Sequence, residues 1–230
     1  MINIPTRILF MALLGIMLSS CRSTVPLPSK ALHESEQTNQ YNLKNNAPLR
    51  ALDAHAVQFI DLNHDGHLDL LVGGNQDLAG SHMEWGDGTG NWKKEAGPST
   101  SVQPLSFAVS DFNHNHNPDI LIGGDGGQKG MQIWEFDTKE KNWSLVSTPI
   151  TEGIFSSVKF TDINKDGWDD IVGTRFDNHS NAGVLVFLND AQGGWISGVG
   201  PAMKGIFTDL AVEDMNGDGA LDIIHHGEAA

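Results

Sequence analysis

The chain is predicted to be all-β: a β-propeller-like array of four-stranded antiparallel blades, about three and a half of them, in an incomplete ring. Three observations carry this. A nine-residue acidic pattern occurs four times, with its first aspartates at 61, 111, 162 and 214. Apolar residues at period two precede each copy and a short apolar run follows it, which marks a strand, a loop and a second strand. Tryptophans at 92, 143 and 195 mark a second hairpin on the same spacing. A steady period of about 50 residues means one supersecondary unit repeated, and four short strands fill that length.

Residues 1–20 are set apart from the fold. Arg7 gives a positive start, and residues 8–18 form an apolar stretch too short to cross a bilayer. Leu18-Ser19-Ser20-Cys21 closes it and resembles the lipobox of bacterial lipoproteins. That resemblance implies a signal peptide cleaved before Cys21, with fatty acyl chains such as palmitate on the new N-terminus. Arg22 follows, rather than the aspartate that retains enteric lipoproteins at the inner membrane, which implies export to the outer membrane. Residues 21–50 are then the lipidated cysteine and a flexible tether rich in Ser, Pro, Gln and Asn. Cys21 is the single cysteine, so the exported part has no disulfide, and bound metal is the obvious other source of rigidity.

The repeats run over residues 51–230, in units of about 51–102, 103–152, 153–203 and a short 204–230. Val57/Phe59, Phe107/Val109, Val158/Phe160 and Leu210/Val212 stand four and two positions ahead of their aspartates, one buried face of a first strand. Second strands follow at 68–72, 120–122, 171–172 and 223–224, the first two ending at Gly73-Gly74 and Gly123-Gly124, read as terminators. Second hairpins run from 82–85 to Trp92, 131–136 to Trp143 and 184–187 to Trp195; the fourth unit has none. These tryptophans are read as blade-packing residues.

Between the first two strands of each unit, oxygen side chains occupy loop positions 1, 3, 5 and 9, and position 6 is glycine in three of the four. Such a set suits a hard cation such as Ca²⁺, which takes six to eight oxygens at about 2.3–2.6 Å. The ligand set in loop one is Asp61, Asn63, Asp65, Asp69 and the carbonyl of His67. Loop three offers Asp162, Asn164, Asp166, Asp170 and the carbonyl of Trp168; loop four offers Asp214, Asn216, Asp218, Asp222 and the carbonyl of Ala220. Loop two, with Asp111, Asn113, Asn115, Asn117 and Asp119, has two carboxylates, and His116 replaces its glycine. Position 6 calls for positive φ, so loop two is expected to bind most weakly, or to stand without metal on Asn and Asp hydrogen bonds. His64, His67, His114, His116, His225 and His226 are read as solvent-facing, since no Cys or third His completes a transition-metal set.

These loops and their flanking strands resemble the FG-GAP/VCBS repeats, which build β-propellers such as the integrin α-subunit head and carry Ca²⁺ between a blade's first two strands. The resemblance covers about residues 51–230, and the loop is its most specific part. The Phe-Gly and Gly-Ala-Pro words that name the family are absent, although Phe155 and Phe207 stand seven residues ahead of their aspartates.

Formal charge is −15, much of it in the loops, and no Lys/Arg-rich patch offsets it, which excludes nucleic acid as partner. The sequence has no Gly-x-Ser-x-Gly, Walker loop or His-Glu-x-x-His, so no catalytic residue is assigned and no enzyme activity is expected. The expected protein is a lipid-anchored, calcium-binding propeller scaffold that recognises a protein or glycan at the cell envelope. Its open blade edge is a route to self-association. The alternatives are a propeller associated with an envelope polysaccharide lyase or hydrolase, as in some families with similar repeats, and a truncated piece of a longer repeat protein.

Overall fold

The computed structural model describes residues 54–74, 81–125, 130–175, 183–198, 200 and 205–229. The signal segment, Cys21 and the tether lie outside the described residues. Fourteen strands and no helix are found among those residues. They are β1 (Ala54–Ile60), β2 (Asp69–Gly74), β3 (Ser81–Gly86), β4 (Trp92–Ala96), β5 (Gln103–Ser110), β6 (Asp119–Asp125), β7 (Met131–Asp137), β8 (Asn142–Ile150), β9 (Phe155–Thr161), β10 (Asp170–Arg175), β11 (Gly183–Asn189), β12 (Trp195–Ser197), β13 (Gly205–Glu213) and β14 (Asp222–Ala229).

Each sheet is a meander of consecutive strands: β1 to β4, β5 to β8, β9 to β12, and the pair β13–β14. All pairings are antiparallel. The first strands β1, β5, β9 and β13 lie side by side in that order, so the sheets stand as blades around them. Apolar residues of facing blades fill the space between. Leu71 and Met83 meet Phe107 and Ile120 between blades one and two. Leu121 and Ile133 meet Phe155 and Val158 between two and three. Val172 and Val186 meet Phe207 and Leu210 between three and four. Among the described residues the ring is unclosed, three full blades and a half-blade.

The Gly-Gly pairs, read from sequence as strand ends, close β2 and stand one residue short of the end of β6, and glycine is required at both places. Neighbouring blades explain why. A Cβ on Gly73 would sit 2.5 Å from Pro104 Cβ, and one on Gly123 would sit 2.6 Å from Val158 Cγ1. Glycine is needed there because the next blade's first strand presses against that backbone, and extended glycine still pairs in the ladder.

Every first strand also carries one extra residue. Pairing skips His55, Leu105, Ser156 and Thr208, each six positions ahead of its loop's first aspartate. Such a bulge bends the strand and reverses its alternation. In a straight strand Phe155 and Val158 would point to opposite faces. Across the bulge both enter one core, as do Phe207 and Leu210.

Candidate metal centres

Each acidic loop joins the first two strands of a blade, so all four lie at the same end of the array. Contacts between neighbouring loops bear this out. The His114 ring of loop two stacks on Trp168 of loop three, centroids 4.2 Å apart. A Cβ on Gly219 of loop four would lie 3.7 Å from Lys165 Nζ of loop three.

The four loops share one hydrogen-bond pattern. The aspartate at position 1 accepts from the backbone N–H groups of positions 5 and 6: Asp61 from Asp65 and Gly66, Asp111 from Asn115 and His116, Asp162 from Asp166 and Gly167, Asp214 from Asp218 and Gly219. Asn63, Asn113, Asn164 and Asn216 at position 3 accept from the position-5 N–H. Asp65, Asn115, Asp166 and Asp218 at position 5 accept from the N–H of position 7, which is His67, Asn117, Trp168 and Ala220. The aspartate at position 9 (Asp69, Asp119, Asp170 or Asp222) accepts from the position-2 N–H. A succession of side-chain-to-backbone turns thus winds the chain inward.

Two residues in each loop take positive φ. Position 6 does so in Gly66 (φ 86°), His116 (70°), Gly167 (92°) and Gly219 (84°). Position 4 does so too, in His64 (59°), His114 (56°), Lys165 (62°) and Gly217 (72°), which the sequence reading missed. Around Gly66 and Gly167 there is open space for a side chain, so the penalty for replacing this glycine is conformational rather than steric. That is how His116 fits: its side chain is 96% exposed.

Position 9 differs from the other three. Asp69, Asp119 and Asp170 are fully buried. Beyond the loop bond, the other oxygen of Asp69 accepts from Gly86 N–H of β3 at 2.9 Å, and that of Asp170 accepts from Asn189 N–H of β11 at 2.8 Å. These carboxylates tie the loop to the third strand of its own blade. Burial pushes all three upward, Asp170 to about 6 and Asp119 to about 8, where the charges of Glu135 and Asp111 add to the desolvation.

Does this donor set fit a hard cation? The side chains that point inward are carboxylates and amides, with no sulfur, and each carboxylate has about four acceptor sites. Asp61 uses one site on each oxygen for backbone N–H groups, leaving acceptors for an ion. Lys165 of loop three, itself exposed, stands beside Gly219 of loop four. The residues therefore fit Ca²⁺ in chemistry. Among the described residues, however, no three His, Cys, Asp or Glu side chains meet closely enough to form a metal site by themselves. Instead the Asn63 and Asn164 amides turn to Asp65 and Asp166 at 3.0 and 2.8 Å.

Of the tryptophans at the second hairpins, Trp143 and Trp195 pack against inter-blade cores. Trp195 also stacks on Phe112, centroids 5.5 Å apart. Grooves open between blades at the loop-bearing end. One, between blades one and two, has Asn63, Trp85, Lys93, Phe136 and Lys141 among its walls. The other, between two and three, has Asn113, Trp168 and Gln192. Each combines aromatic faces with polar side chains.

The model for the FG-GAP-like repeat matches residues 61–122 and 162–225, and the chain belongs to that family. No curated protein matches the chain. Among solved structures it is similar to the GH74 xyloglucanase from Xanthomonas campestris, at 17% identity and a TM-score of 0.48. The match covers 77% of this chain but 27% of that one, and it carries no argument about what this chain does.

Proposed function

We propose that this FG-GAP repeat chain is an exported, lipid-anchored scaffold whose blades are braced by Ca²⁺ and whose loop-bearing end binds a protein or a glycan. The observation that carries the calcium reading is the common hydrogen-bond pattern of the four loops. Such a pattern gathers two or three carboxylates in each nine-residue turn, and charge so concentrated calls for a counter-cation.

Asp61, Asn63 and Asp65, with Asp69 and the His67 carbonyl, would hold the ion in loop one. Asp162, Asn164, Asp166, Asp170 and the Trp168 carbonyl would do so in loop three, and Asp214, Asn216, Asp218, Asp222 and the Ala220 carbonyl in loop four. Bound there, Ca²⁺ supplies charge neutralisation and rigidity, not chemistry on a substrate. The chain's own residues prepare the site: backbone N–H groups orient the position-1, -3 and -5 oxygens, and position 9 anchors the turn to the blade.

Recognition is assigned to the inter-blade grooves because they pair tryptophan faces with amides and ammonium groups, a mixture suited to sugar rings or peptide. Self-association is assigned to the edge of β14 that no described strand covers, near Ile206 and Ile224, which are 54% and 41% exposed. Anchoring is assigned to Cys21.

Equilibrium dialysis with Ca²⁺, followed by a glycan and peptide binding screen with and without EDTA, tests the reading. Saturable, calcium-dependent capture without product supports it. Absence of bound Ca²⁺ overturns the metal role, and release of new reducing or unsaturated ends from envelope glycans would make the chain an enzyme. Labelling with a palmitate analogue should be lost in Cys21→Ser; equal labelling of variant and wild type would remove the anchor.

A further inference from the structure

Besides His116, three departures of the second loop from the others converge on one short stretch of β6 and β7. Position 5 is Asn115, where the other loops have Asp65, Asp166 and Asp218. Asp119 and Glu135 are directly paired across β6 and β7, so their side chains share one face of the blade. One residue beyond the Leu70–Glu84 and Ile171–Phe187 pairs, the corresponding positions hold Trp85 and Leu188. At this register position, opposite position 9, blade two alone of the three full blades places a carboxylate, and it is the blade whose loop lacks one. Glu135 reaches that loop: its Oε2 accepts a hydrogen bond from the Asn115 side-chain amide.

Asp119 gives the independent observation. Its Oδ2 accepts from Phe112 N–H at 3.2 Å, but its Oδ1 is buried with no hydrogen-bond partner. In blades one and three that oxygen receives an N–H from the third strand. In blade two the corresponding donor, Phe136 N–H, goes to the Pro118 carbonyl instead. A buried carboxylate oxygen without a partner costs free energy until something positive meets it. A proton would neutralise Asp119 alone, leaving Glu135 and Asp111 close by, while the exposed His116 ring lies 3.9 Å from Asp111.

We infer that Glu135 is the missing acidic ligand of the second loop, so that a divalent cation there is held by Asp111, Asn113, Asp119 and a carboxylate supplied by β7 in place of position 5. This rests on the calcium reading above. It also changes the ranking of the sites. Counting Glu135, the second site has three carboxylate ligands, as many as positions 1, 5 and 9 give each of the others, and need not be the weakest.

Equilibrium dialysis on the full chain at fixed free Ca²⁺ tests this, with the His116 amide resonance reporting occupancy of the second loop, since that N–H donates to Asp111. Glu135→Gln, nearly isosteric, should weaken the second site about tenfold or more, leaving the others unchanged. Asn115→Asp combined with Glu135→Gln should restore it by moving the carboxylate back to position 5. Unchanged binding by Glu135→Gln, or a loss that the double variant does not recover, overturns the inference while leaving calcium binding intact. A wild-type chain that binds no Ca²⁺ overturns both.

Discussion

Loops three and four are alike in nearly every internal respect and differ in what surrounds them. Both wind through the same five side-chain-to-backbone bonds, between 2.8 and 3.2 Å. Both turn through positive φ at positions 4 and 6. Yet loop three ends on Asp170, buried and bonded to Asn189 of a third strand, whereas Asp222 is only partly buried and its blade has no third strand among the described residues. The turn is therefore written in its own nine residues, and the blade adds only the anchoring of position 9. The winding of the loop and the architecture of the blade are separable properties that meet at one carboxylate.

The most severe test of that separation is to remove the ion. EDTA should lower the melting midpoint and Ca²⁺ restore it; each occupied site contributes about 2.7 kcal/mol when free Ca²⁺ exceeds its Kd a hundredfold. Because the turn is local, loop four should lose protection as fully as loop three, which amide exchange at Gly167 and Gly219 would report. A melt insensitive to both EDTA and Ca²⁺ would end the structural-metal reading.

Next comes position 9 itself. Asp170→Ala leaves two N–H groups, those of Ile163 and Asn189, without their acceptor, and should cost about 3 kcal/mol. Asp222→Ala strands one, that of Met215, in a more exposed place, and should cost about 1 kcal/mol. Equal costs by denaturant titration would erase the distinction between the two blades.

Within the turns, Asp65→Ala and Asp166→Ala should each destabilise the calcium-loaded protein more than Asn115→Ala, by about 1 kcal/mol, since the last removes an amide rather than a charge. A further test of position 9 concerns pH in metal-free protein. The folded-state values of Asp119 and Asp170 lie above the ordinary 3.8, so the folded chain holds protons more tightly than the unfolded one. Their contribution is then fully present below about pH 4 and is lost as pH rises through about 6 for Asp170 and about 8 for Asp119. Asp170→Asn should flatten that dependence around pH 6, and Ca²⁺ should oppose it by favouring the ionised form. Smallest of all, His116→Gly should relieve the positive-φ cost at position 6 and stabilise by up to about 1 kcal/mol.

Periodic patterns made the blades and loops legible before any coordinates. Apolar alternation located the first strands, although the Val57/Phe59 face of β1, read as buried, is about half exposed, and the spacing of Asp61, Asp111, Asp162 and Asp214 fixed the unit. The bulges at His55, Leu105, Ser156 and Thr208 were hidden because one extra residue in a strand leaves no compositional trace. Phe155 and Phe207, out of step with the alternation that follows them, were the available clue. The glycines of β2 and β6 do stand at the strand ends, but the pressure of the next blade on Gly73 and Gly123 was not legible, because a close approach and a bend call for the same residue. Glu135 escaped because it lies 16 residues beyond its loop and joins it only through strand pairing, a relation that a search along the chain does not weigh.

The unclosed ring bears on how such a molecule comes apart. Blades packed only against their sequence neighbours form a one-dimensional chain of coupled units, with stability the sum of each unit and its junctions. Among the described residues the two-stranded blade has a single junction and the fewest internal bonds, so opening of this array should begin there and travel inward past β9–β12, giving graded rather than all-or-none loss. The array then behaves as a zipper with one weak end, and whatever grips β14 sets the point from which it can be opened.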